Sequence, residues 1–243
     1  MDAARTRPLM IGLLLWEEEC AADQLEGTVF NPKTFSFPVR RKKVKGTGLE
    51  TIVKNPTAAT RAVLIEAAQE LEKEGVKAIT TDCGFNAIWQ KELADSVSVP
   101  VFASGLLLVP LVHRMLGRGK KVGIITADKL SLTEKHLKAV GIDESIPICI
   151  IGMEKEDQFS SMLEIPKKKV SLDIEKFESE VTKVARRLVE GNADVGAIVL
   201  ECTDLSPFAG AIQRATGLPV FDIVALTEML HTATSREVAK QAA

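Results

Sequence analysis

The 243-residue chain has no tyrosine, only 5% aromatic residues, four cysteines and no long apolar run. Four cysteines in a chain of this length do not make a disulfide scaffold, and the lack of a C-x-x-C pair argues against zinc or thioredoxin-type chemistry. The longest apolar stretches, 8–16 and 105–112, are much shorter than the roughly 20 residues of a membrane span. The three histidines lack ligand spacing, so we expect no metal site.

Neither sign of charge predominates, because the formal net charge is only −2. A nucleic-acid or membrane surface is therefore not expected. The sequence has no P-loop and no G-x-G-x-x-G, and no lysine suggests a pyridoxal Schiff base, so we expect no cofactor. The first residues do not resemble a signal peptide, which favours a cytoplasmic protein with reduced thiols.

Short apolar runs alternate with helix-like segments along the chain. Such alternation is typical of α/β proteins with parallel sheets covered by helices. Strands are predicted at 9–15, 76–81, 99–102, 120–128, 146–151, 195–200 and 219–222, with a less regular one beginning at 35–39. Helices are predicted at 57–74, 86–96, 105–116, 131–140, 172–190, 207–216 and from 225 onward. Residues 152–170 are polar and irregular, and their length suits a binding loop.

The pattern repeats once along the chain. Cys83 stands 17 positions before Pro100, and Cys202 stands 17 positions before Pro219; each proline begins a Pro-Val-Phe strand. Gly12 in the first strand corresponds to Gly123 in the fifth. The repeat predicts two pseudo-symmetric α/β lobes with the active site in the cleft between them. We expect the first lobe to hold residues 1–104 and 222–243, and the second residues 105–221.

Cys83 and Cys202 fall where ligands bind in parallel α/β sheets, at the carboxyl ends of strands. Each directly precedes a helix, whose N-terminal field is expected to lower the thiol pKa and supply a thiolate base. Across a twofold-related cleft, one cysteine can take a proton from a carbon while the other returns one to the opposite face. Cys20 and Cys149 have no such placement and are read as structural.

These segments resemble the aspartate/glutamate/hydantoin racemase superfamily of cofactor-independent racemases. The likeness is carried by Thr81–Asn86 (TDCGFN), Leu200–Asp204 (LECTD) and the two Pro-Val-Phe strands, and it covers nearly the whole chain. Cys-Thr followed by an acid is similar to the second catalytic cysteine of amino-acid racemases. The first motif departs, because Gly84-Phe85 stands where aspartate and glutamate racemases usually have Asn-Thr. Because of this departure, the resemblance does not specify which substrate the protein binds.

Several residues near the cysteines are candidates for binding substrate, and each also has a structural reading. Thr203 and Asn86 can bind a carboxylate or cap their helices. Asp82 and Glu201 are expected to point away from the cleft if their strands continue. Arg40, Arg41 and Lys167–Lys169 can pair with a second substrate carboxylate, but charged runs of this kind are expected to be mostly solvated. The candidate substrate-binding residues are Trp16, Gly84, Phe85, Asn86, Thr126, Thr203 and Asp204.

The leading hypothesis is a racemase or epimerase of a small carboxylate, such as an amino acid or a hydantoin, with Cys83 and Cys202 as its two bases. The resemblance leaves two enzymatic alternatives open. One is an arylmalonate-type decarboxylase, an enzyme that typically retains only one of the two cysteines. The other is a maleate-type cis-trans isomerase, which keeps both cysteines and uses one as a nucleophile. A two-lobed small-molecule binding protein is the non-enzymatic alternative. A homo-oligomer is also expected to be possible, because the 105–116 helix is apolar.

Overall fold

Two parallel four-stranded sheets organise the chain. The computed structural model describes residues 10–18, 25–163 and 172–236. The strand order is β2-β1-β3-β4 in the first sheet and β6-β5-β7-β8 in the second, so the sheets share one topology. The strands are β1 (Ile11–Trp16), β2 (Val39–Val44), β3 (Ala78–Thr81), β4 (Val101–Phe102), β5 (Lys121–Thr126), β6 (Ile148–Gly152), β7 (Val195–Leu200) and β8 (Val220–Phe221). The predicted repeat of two parallel α/β units is confirmed.

Helices connect the strands and cover both sheets. The α-helices are α1 (Ala58–Lys73), α2 (Gln90–Asp95), α3 (Leu108–Met115), α4 (Glu134–Ala139), α5 (Asp157–Leu163), α6 (Ile174–Glu190), α7 (Ala209–Thr216) and α8 (Ile223–Thr234). A π-helix spans Leu49–Lys54, and 3-10 helices span Gly84–Trp89, Gly105–Leu107 and Thr203–Phe208. Within the described ranges, no helix combines the length and apolarity that a bilayer crossing needs.

The matched glycines explain why the two halves pack alike. Gly12 lies in β1, and a Cβ there would stand 3.0 Å from a methyl carbon of Leu71 in α1. Gly123 lies in β5, and a Cβ there would stand 2.8 Å from a methyl carbon of Leu188 in α6. In each half, the missing side chain lets a helix leucine lie close to the central strand.

A shared hydrophobic core lies between the two sheets. It includes Leu13 of β1, Val122 and Ile124 of β5, and Val109 and Val112 of α3. The last helix packs back on the first sheet, where Leu230 contacts Ile11 and Ala78. Helices α3 and α8 therefore each contact the sheet of the other half. The lobe boundaries at residues 104, 105, 221 and 222 stay a prediction.

The basic run forms strand β2 at the edge of the first sheet, where Arg40, Lys43 and Lys45 are exposed, in agreement with the expected solvation. Pairing with β1 runs from Val39 to Val44, so Pro38 precedes the strand rather than lying inside it. Arg40 pairs with Glu74, and Arg41 donates to backbone carbonyl oxygens, with Nε at 3.1 Å from one of them. Charged side chains on an edge strand also discourage pairing with another sheet.

Two helices begin later than the sequence suggested. Helix α1 begins at Ala58 and is capped by Thr57, whose hydroxyl accepts from the backbone N–H of Thr60 at 3.3 Å. Helix α4 is capped by Thr133 rather than Ser131, whose hydroxyl donates to Asp128 at 2.8 Å. The polar 152–170 stretch contains helix α5, and its residues 164–170 lie outside the described part of the chain.

Candidate active site

Cys83 and Cys202 occupy equivalent positions at the carboxyl ends of β3 and β7. Each is separated from its strand by one acidic residue, and each directly precedes a 3-10 helix. Their side chains are buried, with 8% and 6% of the surface exposed. Because β3 and β7 each lie beside the first strand of their sheet, the pseudo-symmetry places the two cysteines in matching environments.

One cavity is lined by both cysteines. Its described lining also includes three acidic residues, one tryptophan and one threonine. The full described lining is Trp16, Leu49, Val53, Asp82, Cys83, Gly84, Phe85, Ala127, Glu201, Cys202, Thr203 and Asp204. The cavity volume is about 20 Å³, which holds about one water molecule. Side chains at the rim must shift to admit any molecule larger than water.

Most of the predicted substrate-binding residues line this cavity: Trp16, Gly84, Phe85, Thr203 and Asp204. The other two, Asn86 and Thr126, are not in its described lining. Asn86 is fully buried, and its side-chain amide has no hydrogen-bond partner within the described residues. Thr126 donates its hydroxyl to Glu201 at 2.7 Å. The binding roles of all seven residues stay predictions.

Thr203 connects the two halves of the chain. Its hydroxyl donates to the backbone carbonyl oxygen of Asp82, which follows β3. The residue therefore lines the cavity from the second half while it holds the loop that carries Cys83 in the first. This contact differs from the helix cap that was the alternative reading of Thr203.

The expected direction of Asp82 and Glu201 is wrong, because both residues line the cavity. The strands end at Thr81 and Leu200, as predicted, so strand alternation does not fix the direction of the side chains that follow them. Asp82 accepts the backbone N–H of Trp16 at 2.6 Å through Oδ2. Glu201 accepts the Thr126 hydroxyl at 2.7 Å and the Ala127 N–H at 3.5 Å through Oε2.

Gly84 provides the space that the Glu201 carboxyl occupies. A Cβ at Gly84 would stand 2.1 Å from the backbone oxygen of Glu201 and 2.3 Å from its Oε1. Real Cβ atoms do not approach other atoms so closely, so only glycine fits here without movement. The unusual Cys-Gly-Phe motif was the signal that could have located Glu201 in the site.

Phe85, two residues after Cys83, anchors the loop that carries this cysteine through a ring contact. It is 1% exposed and packs edge-on against His136 of α4, with ring centroids 5.4 Å apart. Edge-to-face pairs of this kind contribute roughly 0.5–1.5 kcal/mol beyond their buried area. The residue after Gly84 is therefore anchored to the second half of the chain.

The cavity walls include residues that the sequence reasoning missed. Leu49 and Val53 come from the π-helix, and Ala127 follows β5. Single-turn π-helical segments are rare and occur frequently at functional sites. No residue pattern in this stretch distinguishes a π-helix from an irregular loop, so the sequence carried no signal for it.

Cys149 is not in the described lining of the cavity. Cys149 lies in β6, where it pairs with Gly123 and is half-buried. This placement agrees with its structural reading. Cys20 and the basic run Lys167–Lys169 lie outside the described residues.

The expected lowering of the thiol pKa values was also wrong. Burial raises the pKa of Cys83 well above its ordinary value, and the nearby Glu201 and Asp82 carboxyl groups raise it further. Burial and the carboxyl groups of Asp204 and Glu201 do the same for the pKa of Cys202. The backbone N–H groups of Phe85 and Asp204 act in the opposite direction but are outweighed.

Glu201 is the most perturbed carboxyl group of the site. Its residue is 0% exposed, and burial raises its pKa from 4.5 to about 7. The Thr126 hydroxyl and the Ala127 N–H oppose this rise because they stabilise the ionised form. The carboxyl group is therefore substantially protonated at neutral pH.

This pKa predicts a pH-dependent stability that disappears in Glu201→Gln. The unfolded chain loses the Glu201 proton near pH 4.5 and the folded chain near pH 7, so stability falls as pH rises between those values. The shift corresponds to about 3 kcal/mol. Denaturant unfolding at pH 4.5 and 8 should show wild type losing about that much more stability than the variant. An equal loss in both proteins contradicts the assignment.

The sequence places the chain among known enzymes. Residues 48–229 match the family described as Asp/Glu/Hydantoin racemase. A dimethylsulfoniopropionate lyase of Durusdinium sp. clade D is 32% identical over 206 residues, which cover 82% of this chain and 67% of that protein. Dimethylsulfoniopropionate lyase 3 of Emiliania huxleyi is 28% identical over 207 residues, covering 82% of this chain. The chain spans about half the length of that second relative, 53%.

The fold agrees with this placement. A mutant of arylmalonate decarboxylase in a sulfate-associated form superposes with a TM-score of 0.62 at 16% identity, covering 95% of this chain and 97% of that one. At this identity the likeness shows the fold alone. The matching family is enzymatic by its description, and the relatives named above are lyases. By its sequence over residues 48–229, the chain belongs to the Asp/Glu/hydantoin racemase family.

Proposed function

We propose that the protein is a carbon–sulfur lyase that acts on dimethylsulfoniopropionate or a close analogue. Such a substrate carries a carboxylate at one end and a positively charged sulfonium on the β carbon. The observation that carries the proposal is the cavity lining, in which three carboxyl groups and two thiols meet with no basic side chain among the described residues. Relatives named dimethylsulfoniopropionate lyases support the choice of substrate.

The lining favours a substrate that brings its own positive charge. A buried charge is costly unless it is paired, and the cavity offers Asp82 and Asp204 but no lysine, arginine or histidine in its described lining. Aspartate or glutamate would add two carboxylates and one ammonium group, a net negative charge, whereas dimethylsulfoniopropionate adds one carboxylate and one sulfonium and is neutral overall. The carboxyl groups attract the sulfonium, and the Trp16 indole offers it a cation–π contact.

The proposed reaction is a β-elimination. A base removes one proton from the carbon next to the carboxylate, and the electrons of that C–H bond form the new carbon–carbon double bond. The bond between the β carbon and sulfur breaks, and its electron pair leaves with sulfur. The products are dimethyl sulfide, acrylate and one proton, which passes from the base to solvent. Atoms and charge balance without a redox partner.

Cys202 is the base in this proposal. Its thiol donates to Oδ2 of Asp204, with sulfur and oxygen 3.8 Å apart, so an acceptor for the thiol proton is already in place. A thiol beside a general base is the common arrangement for an activated sulfur. Proton transfer to a carboxylate also avoids adding a second negative charge to a buried site. Elimination needs one base, so Cys83 serves to shape and complete the opposite wall.

The test is direct assay of the purified protein with dimethylsulfoniopropionate. Headspace gas chromatography should detect dimethyl sulfide at a rate proportional to enzyme concentration, with an equal amount of acrylate by NMR. The uncharged thioether analogue 3-(methylthio)propionate should not react, because it has no cationic leaving group. Absence of dimethyl sulfide above the uncatalysed rate contradicts the proposal.

Racemisation of a small carboxylate is the second candidate. The observation that favours it is the presence of cysteines from both halves on one cavity, as two-face proton transfer requires. Incubation of single enantiomers of aspartate, glutamate and allantoin in deuterated water tests it by NMR. Exchange of the proton at the stereocentre, without release of dimethyl sulfide from the sulfonium substrate, favours this candidate over the lyase.

A further inference from the structure

We propose that Glu201 binds the substrate carboxylate as a neutral acid, donating a hydrogen bond from Oε1. This hydrogen bond strengthens as negative charge develops on the carboxylate during proton removal. The inference deepens the proposed function, since it rests on a substrate whose carboxylate lies next to the carbon that loses the proton. It assigns to Glu201 a contact with the reacting group rather than a supporting role behind Cys202.

The hydrogen bonds of the carboxyl group place its proton. Oε2 accepts from the Thr126 hydroxyl and the Ala127 N–H. Oε1 is buried and has no hydrogen-bond partner among the described residues. A carboxyl group whose one oxygen already accepts two donors carries its proton on the other oxygen. The O–H of Glu201 is therefore on Oε1, the oxygen that lies against Gly84 beside Cys83.

A second unpartnered donor lies in the same lining. The indole Nε1 of Trp16 is buried and has no hydrogen-bond partner within the described ranges. Indole nitrogen only donates, and buried polar groups normally find partners. Two buried groups with unused donor capacity, one from each half of the chain, line a cavity without a basic side chain. A substrate carboxylate is an acceptor of the kind that both groups lack.

A neutral donor also suits the charges around it. Asp82 and Cys83 face Glu201 from the first half, and Asp204 and Cys202 face it from its own loop. On the β5 side, Asp128 is paired with Lys54 of the π-helix. An ionised Glu201 would repel both these neighbours and the substrate carboxylate. Burial keeps the pKa near 7, so the neutral form is well populated. Donors placed where charge develops are typically worth about 10²–10³ in rate.

Binding of propionate, which has the carboxylate but no leaving group, tests the inference without turnover. Titration calorimetry should give a constant affinity from pH 5.5 to about 7 and then a fall of about tenfold per pH unit, as Glu201 ionises. Calorimetry in buffers of different ionisation enthalpy should show proton uptake on binding at pH 8. Glu201→Gln keeps a donor that does not ionise, so both the fall in propionate affinity at high pH and the proton uptake should disappear.

Thr126→Val supplies a second variant. Loss of the hydroxyl removes a hydrogen bond that favours ionised Glu201, so the fall in propionate affinity should move to higher pH. Thr80→Val is the matched control, because Thr80 is equally buried and its hydroxyl has no partner among the described residues. In Thr80→Val, propionate affinity should fall at the same pH as in wild type.

The outcomes separate this inference from the lyase proposal. If propionate affinity has the same pH dependence in wild type, Glu201→Gln and Thr126→Val, Glu201 is not the donor, whether or not dimethyl sulfide is released. If no dimethyl sulfide is released but the pH dependence of propionate affinity changes with the Glu201 variant as predicted, the inference about Glu201 stands. The proposed sulfonium leaving group is then wrong. Proton uptake that persists in Glu201→Gln overturns the inference.

Discussion

Cys202→Ser is expected to lower the rate of dimethyl sulfide release by about 10³-fold. Serine keeps the size of the side chain, but its hydroxyl is a far weaker acid than a thiol, so Asp204 cannot generate a usable base. The folded structure should be unaffected, because the substitution exchanges sulfur for oxygen at a site with a polar neighbour. Initial rates at several pH values, with circular dichroism of each variant, measure the effect.

Two cysteine variants serve as controls for this loss. Cys83→Ser should lose only about tenfold, because elimination needs one base, whereas two-face proton transfer would make both losses similar. Cys149→Ser should keep wild-type activity, since Cys149 lies in the edge strand β6 and does not line the cavity. Full activity of Cys202→Ser would show that another group removes the proton.

Gly84→Ala is expected to destabilise the protein by about 3 kcal/mol and to remove most of its activity. The added methyl group would stand 2.1 Å from the backbone oxygen of Glu201 and 2.3 Å from Oε1. Either the Cys83 loop or the Glu201 segment must move, and both line the cavity. Denaturant unfolding and dimethyl sulfide release on the same preparation measure the two effects.

Gly117→Ala is the matched control for Gly84→Ala. A Cβ at Gly117 meets no described atom within 4 Å, and the residue has no positive φ, so the substitution should leave stability and activity unchanged. Shortening Glu201 should not rescue Gly84→Ala, because the closest contact is with the backbone of residue 201. A Gly84→Ala protein as stable and active as wild type would mean that the loop yields easily and that glycine is not needed.

The fold and the cysteine pair could be predicted from sequence because both depend on regular patterns. Alternating strands and helices, with a repeat at domain scale, fix the topology. Cys83 and Cys202 follow strands whose pairing the repeat already implies, and the structure brings both to one cavity. Strand β7 has the predicted bounds, Val195–Leu200, because its apolar run is short and sharply delimited.

The acidic half of the site could not be predicted because it depends on the backbone just beyond each strand. Asp82 and Glu201 are expected on the opposite face only if each strand continues, but the strands end at Thr81 and Leu200. Beyond those ends the side-chain direction depends on tertiary contacts, here the close approach of Gly84 to Glu201, and both acidic residues line the cavity.

The thiol pKa values show two opposing effects whose balance needs the structure. A helix N-terminus lowers a thiol pKa, and the sequence places both cysteines before helices. Burial beside carboxyl groups raises it, and this effect prevails for Cys83 and Cys202. The depth of burial and the cavity neighbours are properties of the assembled halves, which no local motif reports.

The departure at Gly84-Phe85 turned out to concern the site itself. Where related racemases have Asn-Thr, glycine leaves room for Glu201, and phenylalanine packs on His136. The lining consequently gains a carboxyl group close to Cys83 and includes no basic side chain among the described residues. This lining is the physical basis for proposing a substrate with a cationic leaving group.

The most direct test uses dimethylsulfoniopropionate carrying two deuterium atoms on the carbon next to the carboxylate, with the enzyme in ordinary water. Mass spectrometry of the three-carbon product reports how many deuterium atoms remain. Proton removal by Cys202 followed by elimination predicts acrylate with one deuterium atom, formed by wild type and almost absent with Cys202→Ser. A product that retains both deuterium atoms, such as 3-hydroxypropionate from displacement by water, would contradict elimination.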